Sequence, residues 1–474
     1  MNNQVSFNHG FLWRICLIAA LGGLLFGYDF VVIGGAKPFY EAYFSINTIP
    51  TLQGWVMSCA LLGCLFGVML SGSLADIFGR KKLLLLAAVL FVVSGVGVAV
   101  ADSLTVFVIF RIVGGMGIGL ASGLSPMFIA EVSPKEYRGR FVSFNQLTIV
   151  IGILASQIVN YFIARTVPLD FGPDEIAASW NGQMGWRWMF GAGTFPAVAF
   201  LVLMFFVPES PKWLVQKGKT KRAKDILARI GGETYAETEL AGMEADIKRT
   251  ESERNAAQQT SNCFAELLSP KMLPILALGV FLAVFQQWCG INVIFNYAEE
   301  VFKSAGYHIN GLMFNIVITG IINLVFTFVA IVTVDRWGRR PLMLFGAGGL
   351  AAIYGILGYG YYIQMTGPLM LVLVLCACAC FAMTLGPMVW VILSEIYPTR
   401  IRGAAMSVAV ASLWIACAVL SYTFPILNSE LGASGTFWVY GGICLVSAFV
   451  IYFSLPETKG KTLEEIEAVL FGGK

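Results

Sequence analysis

Residues 72–80 have the sequence GSLADIFGR and residues 332–340 have the sequence VTVDRWGRR, so the pattern Asp-x-x-Gly-Arg occurs twice. Each copy lies between two long apolar runs. Two further patterns recur in the same order: Glu-x-x-Pro-x-x-x-Arg-Gly at 131–139 and 395–403, and Pro-Glu-Ser/Thr at 208–210 and 456–458. The members of each pair are 248 to 264 residues apart. This spacing indicates two similar halves in tandem.

Apolar runs occupy most of the chain between these loops. The 474 residues are 57% hydrophobic and 12% charged, whereas about 25% of residues are charged in a soluble domain. A helix needs about 20 residues to cross a bilayer. Twelve runs are long enough, at 12–36, 53–75, 83–101, 105–130, 142–164, 187–207, 272–300, 312–334, 342–362, 368–394, 404–427 and 436–455. The sequence predicts an all-α polytopic membrane protein with twelve transmembrane helices in two six-helix, pseudo-symmetric bundles.

Positive charge is distributed unevenly over the loops. With twelve spans, alternate loops share a side, and one side holds only Lys37, Arg165, Arg187 and Lys303. Because lysine and arginine mark cytoplasmic loops, both termini and the long central loop are expected in the cytoplasm. The predicted divisions are a first bundle at 1–207, a cytoplasmic helical linker at 208–271, a second bundle at 272–455 and a cytoplasmic tail at 456–474.

The loop patterns resemble the signatures of the sugar porter family of the major facilitator superfamily. The likeness extends from Gly22 to Glu465, and within the family it is closest to bacterial D-xylose–proton symporters. The resemblance implies the major facilitator fold and alternating-access import of a monosaccharide with protons, in a bacterial inner membrane and without a cofactor. A facilitative sugar uniporter is the alternative. The absence of an Asn-x-Ser/Thr glycosylation acceptor favours a bacterial source.

Charged residues at the helix ends suggest a gate. They recur in both halves and comprise Asp76, Arg80, Glu131, Arg138, Glu209, Asp335, Arg339, Glu395, Arg402 and Glu457. Ion pairs that form when the cytoplasmic face closes and break when it opens would bias two global states. The alternative is a set of static surface pairs, each worth about 0–1 kcal/mol.

Polar residues inside apolar helices are candidates for sugar binding, since burying them without a partner costs about 1–3 kcal/mol. They are Gln146, Gln286, Gln287, Asn292, Asn296, Tyr297 and Asn323, and the aromatic candidates are Trp390 and Trp414. Gly290 can break the seventh helix, and Gly386-Pro387 invites a kink in the tenth. The alternative role of each amide is hydrogen bonding between helices.

The resemblance implies a closely similar set. It places Gln146, Gln286, Gln287, Asn292, Asn323 and Trp390 at sugar-contacting positions, and Phe26, Gly386 and Trp414 along the cavity. This chain departs from the xylose-symporter pattern at three positions: Asn296 replaces a tyrosine, Leu413 a glutamine and Leu385 a tryptophan. These departures leave xylose, glucose and galactose open as substrates.

Two charged residues lie well inside apolar runs, away from the run ends: Asp29 in the first and Arg111 in the fourth. A charge in mid-bilayer costs at least ~2.5–3.5 kcal/mol, and such residues mark ion or proton pathways. The resemblance implies that Asp29 is the proton-coupling aspartate and Arg111 its partner. The alternative is a static salt bridge in a uniporter.

Other functional classes have weaker support. A non-transporting sugar sensor is expected to carry a long cytoplasmic tail, and about eighteen residues follow the last run. An enzyme would need a nucleophile–base pair or metal ligands, and the two histidines, His9 and His308, lie outside the core runs. We therefore expect no catalytic residues, no metal and no nucleic-acid partner, and a monomer that functions in the lipid bilayer.

Overall fold

A computed structural model describes residues 7–168, 171–260, 268–270, 272–397, 402–457 and 459. Every regular element in these ranges is helical. The first half contains α1 (His9–Tyr43), α2 (Pro50–Phe78), α3 (Arg80–Ala99), α4 (Leu104–Val132), α5 (Lys135–Ile163), α6 (Pro173–Ala178), a π-helical turn (Asn181–Gly185), α7 (Trp186–Ala192) and α8 (Thr194–Phe205).

The central segment and the second half follow the same helical pattern. The central helices are α9 (Pro211–Gln216), α10 (Thr220–Gly231) and α11 (Glu233–Thr260). The second half contains α12 (Leu273–Trp288), α13 (Ile291–Asn296), α14 (Ala298–Ser304), α15 (Ile309–Trp337), α16 (Arg339–Tyr362), α17 (Pro368–Met383), α18 (Leu385–Ile396) and α19 (Arg402–Ser454).

Eleven helical stretches of the described chain are long and apolar enough to cross a membrane, one fewer than the twelve predicted runs. The difference lies in α19, whose 53 residues include two of those runs. Gly432 interrupts it with a φ of 67°, a left-handed conformation that favours glycine. The bend falls between the predicted eleventh and twelfth runs, so the apolar pattern agrees with the structure.

The repeated loop patterns form the same structure in each half. Gly79 joins α2 to α3 with a φ of 96°, and Gly338 joins α15 to α16 with a φ of 88°. A carboxylate oxygen of Glu209 accepts the first two backbone amides of α3, at 3.1 and 3.0 Å. Glu457 accepts the first two amides of α16, at 3.0 and 3.1 Å. Each Pro-Glu motif thus caps the amides that a helix leaves unpaired at its N-terminus.

The bundle has two distinct ends. We call the end that carries Gly79 and Gly338 the motif end, and the opposite end, where α1 leads into α2, the far end. The two halves approach closely at the far end, because a Cβ on Gly34 would meet the carbonyl oxygen of Phe295 and a Cβ on Gly54 would meet that of Tyr422. The seam between the halves is therefore closed at the far end.

Two helices of the second half are broken near that seam. Gly290 separates α12 from α13 with a φ of 85°, as the sequence predicted. The predicted kink in the tenth run occurs at Thr384, between α17 and α18. Pro387 lacks the amide hydrogen that would bond the carbonyl of Met383, which explains a break one turn before the proline.

The central helices pack beside the motif end of the first half. Trp213, Leu214, Val215 and Ala223 form a small apolar core of their own. Residues 261–267 and 271 of the predicted linker, and residues 458 and 460–474 of the predicted tail, lie outside the described residues.

Gly290→Ala is expected to lower the free energy of unfolding by about 1–2 kcal/mol, because a left-handed φ is unfavourable for a residue with a Cβ. That Cβ would also meet the Tyr440 ring at 3.0 Å. Chemical denaturation in mixed micelles measures the change. The control is Gly348→Ala in α16, where a Cβ has no atom within 4 Å. Equal effects at the two positions would contradict this explanation.

Candidate functional site

The polar residues of the seventh span cluster around the break at Gly290. Gln286 is buried and donates from Nε2 to the carbonyl oxygens of Leu385 and Gly386, at 3.1 and 2.9 Å. Asn292 is also buried and donates from Nδ2 to Oε1 of Gln287, at 2.6 Å. The break therefore joins the amides of α12 and α13 into one group and ties that group to the start of α18.

Several polar atoms of this region have no partner within the described chain. Oε1 of Gln286 and Oδ1 of Asn296 are buried and accept no hydrogen bond there. A buried amide oxygen without a donor loses its hydration free energy uncompensated, at a cost of about 1–3 kcal/mol. These two oxygens could accept hydrogen bonds from the hydroxyl groups of a ligand.

Aromatic residues from both halves meet at the seam. The rings of Phe26 in α1 and Trp414 in α19 have centroids 5.9 Å apart. Trp414 is buried, whereas Trp390 in α18 is 39% exposed. Leu413, beside Trp414, is buried and adds an apolar surface where the resemblance led us to expect an amide.

The other predicted binding residues differ in their environments. Gln146 is exposed on α5, whereas Asn323 is buried on α15. Tyr297 is buried, and its hydroxyl donates to the carbonyl oxygen of Ser421 at 2.5 Å. Tyr297 thus contributes a helix-packing contact, while Gln286, Gln287, Asn292 and Gly386 lie together.

Asp29 and Arg111 form an ion pair inside the first half. Nη1 of Arg111 lies 3.0 Å from Oδ1 of Asp29, and Arg111 is 2% exposed. The guanidinium also lies over the Phe190 ring, 5.2 Å from its centroid. Oδ2 of Asp29 is buried and has no partner in the described part of the chain. The pair is charge-balanced only while Asp29 is ionised.

At the motif end of the first half, Arg80 is the centre of a charge network. The guanidinium contacts Asp76 at 3.2 Å and Glu131 at 3.0 Å. The second oxygen of Glu131 accepts from the Ser210 hydroxyl at 2.5 Å. Arg138, also predicted to belong to the gate, is exposed.

The second half repeats part of this arrangement. Arg339 contacts Glu395 at 3.1 Å, which is the counterpart of the contact between Arg80 and Glu131. The side chains of Asp335 and Arg402 lie outside the described part of the structure. The pairs on Arg80 and on Arg339 therefore each connect residues of one half.

Several buried polar residues lie outside the predicted set, among them Gln157 and Lys37. Gln157 in α5 is buried against Gly320 of α15, and neither of its amide atoms has a described partner. A search for every polar residue within apolar runs would have found it. Lys37, assigned from the sequence to a helix margin, is 2% exposed and lies among Glu41, Glu299 and Glu300.

Comparison with known proteins assigns the chain to a family. A family model described as "Sugar (and other) transporter" matches residues 15–470. The chain belongs to the sugar transporter family. One family relative, the D-xylose-proton symporter of Escherichia coli (strain K12), is 41% identical over 99% of this chain and 97% of the relative. The arabinose-proton symporter of Bacillus subtilis (strain 168) is 36% identical over 98% and 96% of the respective chains.

A solved structure of the same family confirms the predicted fold. The inward-open xylose transporter from Escherichia coli superposes with a TM-score of 0.82 at 39% identity. The match covers 97% of this chain and 99% of that chain. The two-bundle helical fold predicted from the repeats is therefore that of the sugar transporter family.

In this member of the sugar transporter family, Glu131→Gln is expected to lower the free energy of unfolding by about 1–3 kcal/mol, since it leaves the Arg80 guanidinium partly unpaired. Asp76→Asn is the control, because Asp76 contacts the same guanidinium but its side chain is 71% exposed. Its effect should stay below about 1 kcal/mol. The midpoint of thermal unfolding in detergent ranks the two variants. A larger loss for Asp76→Asn would refute this ordering.

Proposed function

We propose that this chain imports a monosaccharide together with a proton by alternating access between its two halves. The observation that carries the proposal is that the protein contains both a cluster of amide groups at the seam and a buried ion pair between Asp29 and Arg111. The two relatives described as a D-xylose-proton and an arabinose-proton symporter support the same function.

The amide cluster at Gly290 is suited to a sugar. Sugar hydroxyls both donate and accept hydrogen bonds. They can therefore donate to the buried amide oxygens of Gln286 and Asn296 and form hydrogen bonds with the side-chain amide of Gln287. Phe26 and Trp414 supply an apolar face for the C–H surface of the ring. We include Gln146, Asn323 and Trp390 in the site on the basis of the family resemblance.

The substrate is a pentose or a hexose of the xylose or glucose type. The apolar Leu413 side chain removes one hydrogen-bonding arm beside Trp414, and Asn296 supplies a short amide in place of a tyrosine hydroxyl. Leu385 is buried, and its backbone carbonyl accepts a hydrogen bond from Nε2 of Gln286. A pocket with these substitutions should rank sugars differently from one with a glutamine at position 413.

Asp29 and Arg111 couple the sugar to a proton in this proposal. Protonation of Asp29 would leave Arg111 with an uncompensated charge, whereas proton release re-forms the 3.0 Å pair. The conformations that favour each charge state therefore differ. One proton crossing ~150 mV supplies roughly 3.5 kcal/mol, enough for a several-hundred-fold sugar gradient.

We assign the motif end to the cytoplasm because positive charge is concentrated there. Both termini are then cytoplasmic and the far end faces outward. Closure of the seam at the far end corresponds to an inward-facing state, consistent with the similarity to an inward-open structure. The pairs on Arg80 and Arg339 within each half would exchange partners across the halves when the motif end closes.

The chain would reside as a multi-pass protein in a bacterial inner membrane and function as a monomer. Its partners in this proposal are the sugar, protons and the lipid bilayer. The relatives are transporters, which agrees with a role other than catalysis.

Asp29→Asn is expected to abolish uphill sugar uptake driven by a pH gradient while counterflow exchange continues, because an asparagine cannot carry the proton. Proteoliposomes loaded with unlabelled sugar measure the exchange, and a pH jump measures the accumulation. The control is Asp102→Asn, because Asp102 also lies 3.0 Å from an arginine but is 88% exposed.

The Asp102 variant should accumulate sugar as the parent does. If Asp29→Asn also accumulates sugar against a gradient, Asp29 is not the coupling group. If the parent and the two variants all exchange sugar but none of them accumulates it, the chain is a facilitative uniporter.

Leu413→Gln is expected to change the ranking of xylose, glucose and galactose as competitors of sugar counterflow. A new amide in the pocket is expected to alter the relative affinities by about 10-fold, the equivalent of roughly one hydrogen bond. Leu420→Gln is the matched control, since Leu420 is a similarly buried leucine two turns along α19. An unchanged ranking for Leu413→Gln would remove position 413 from the specificity determinants.

A further inference from the structure

Lys37 lies at the far end of α1 in a buried cluster that we call the far-end cluster, formed by Lys37, Glu41, Glu299 and Glu300. Its ammonium group contacts Glu41 at 2.9 Å, Glu299 at 3.7 Å and Glu300 more closely still. It also lies 5.7 Å from the centroid of the Tyr297 ring. An ammonium group buried to this degree requires such partners.

The contacts of Lys37 cross the seam between the halves. Lys37 and Glu41 belong to α1 in the first half, whereas Glu299 and Glu300 belong to α14 in the second. Gln53, at the start of α2, donates to the same oxygen of Glu41 at 3.1 Å. The cluster thus joins two helices of one half to the broken seventh span of the other.

The cluster contains more acidic than basic groups. Three carboxylates face a single ammonium group, and Oε1 of Glu41 and Oε2 of Glu300 are buried without a described partner. The hydroxyls of Tyr40 in α1 and Tyr297 at the end of α13 also face it, and the titratable groups of Lys303 and His308 line the adjoining cavity. Without the lysine, carboxylate repulsion would oppose closure of the far end.

A cavity of about 240 Å³ adjoins the cluster and is lined by both halves. Glu41 and Glu299 contribute to its wall, together with Lys303 and His308. Water in such a cavity would hydrate the cluster as soon as the helices separate, which lowers the cost of breaking the pair. The pair is therefore placed where it can alternate between a buried and a hydrated state.

We propose that Lys37 is the latch of the far end: its ion pair with Glu300 holds the halves together in the inward-facing state and breaks to admit sugar from the far side. The latch rests on the proposed alternating-access function. It complements the amide cluster and the Asp29–Arg111 pair, because it controls which side of the site is open without contacting the sugar.

Spin labels on the full-length chain in lipid nanodiscs test the latch. Thr48 and Ser429 are exposed at the far ends of the two halves, and labels there, in a chain with Cys263 and Cys376 replaced by serine, report the width of the seam. We expect the parent to show mainly the short distance. Lys37→Met should enlarge the long-distance population at least about 10-fold at pH 8, because it leaves buried carboxylates unpaired.

Four comparisons make the result specific. At pH 5, protonation of the carboxylates should return the Lys37→Met variant towards the short distance. At pH 8, the double variant Lys37→Met/Glu300→Gln should return partly towards the short distance. Lys37→Arg should resemble the parent. The control Lys303→Met removes a neighbouring lysine that lines the cavity but lies outside the far-end cluster, and it should leave the distances unchanged.

A parent-like distance distribution for Lys37→Met at pH 8 would overturn the proposal. If that variant does not fold, Glu300→Gln replaces it, since Lys37 then keeps its contact with Glu41. Glu300→Gln should open the seam to a smaller extent, and an unopened seam would also overturn the latch. These distances are measured without sugar or a pH gradient, so an error in the proposed substrate or coupling would not alter them.

Discussion

A polar side chain inside a bilayer must find its partner within the protein, because lipid offers none. The rest of this structure depends on that constraint. Gln286, Asn292, Asp29 and Arg111 all lie within helices that are otherwise apolar, and all are directed toward protein rather than lipid. Two of the buried polar atoms that lack a described partner, Oε1 of Gln286 and Oδ1 of Asn296, lie in the broken seventh span. A seam with unpaired amides is a surface that a sugar can stabilise.

The repeated loop motifs keep the two halves rigid enough to move as bodies. In each half a glutamate caps the start of the third span: Glu209 caps α3 and Glu457 caps α16. The arginine at that start contacts a glutamate of the fourth span, Arg80 with Glu131 and Arg339 with Glu395. Because these contacts lie within one half, they stabilise each half while the motif end is open, and in the proposed cycle Arg80 and Arg339 exchange partners across the halves when that end closes. The ion pairs of the far-end cluster lie across the seam and must change in the cycle.

Much of the fold could be predicted from the sequence, because the apolar spans, the repeated motifs and the helix break at Gly290 are each visible in the sequence itself. The site was harder to predict in detail. Clustering of amides around the helix break could be predicted, but the hydrogen bonds of Gln286 to backbone carbonyls of α18 depend on where Thr384 bends the chain. Burial of Lys37 depends on the approach of α14 from the other half, which no local pattern encodes. Gln157 was missed because its run contains several amides, and the sequence does not show which of them faces the other half.

In the proposed cycle, sugar binding at the seam is coupled to a proton carried by Asp29 inside the first half. The most direct test of this coupling is the simultaneous measurement of sugar entry and proton entry in proteoliposomes that contain only this chain. We predict that adding sugar outside makes the external medium more alkaline, with about one proton entering per sugar. Sugar entry without any change in external pH would contradict the coupling, and the absence of both fluxes for every pentose and hexose would contradict the site itself.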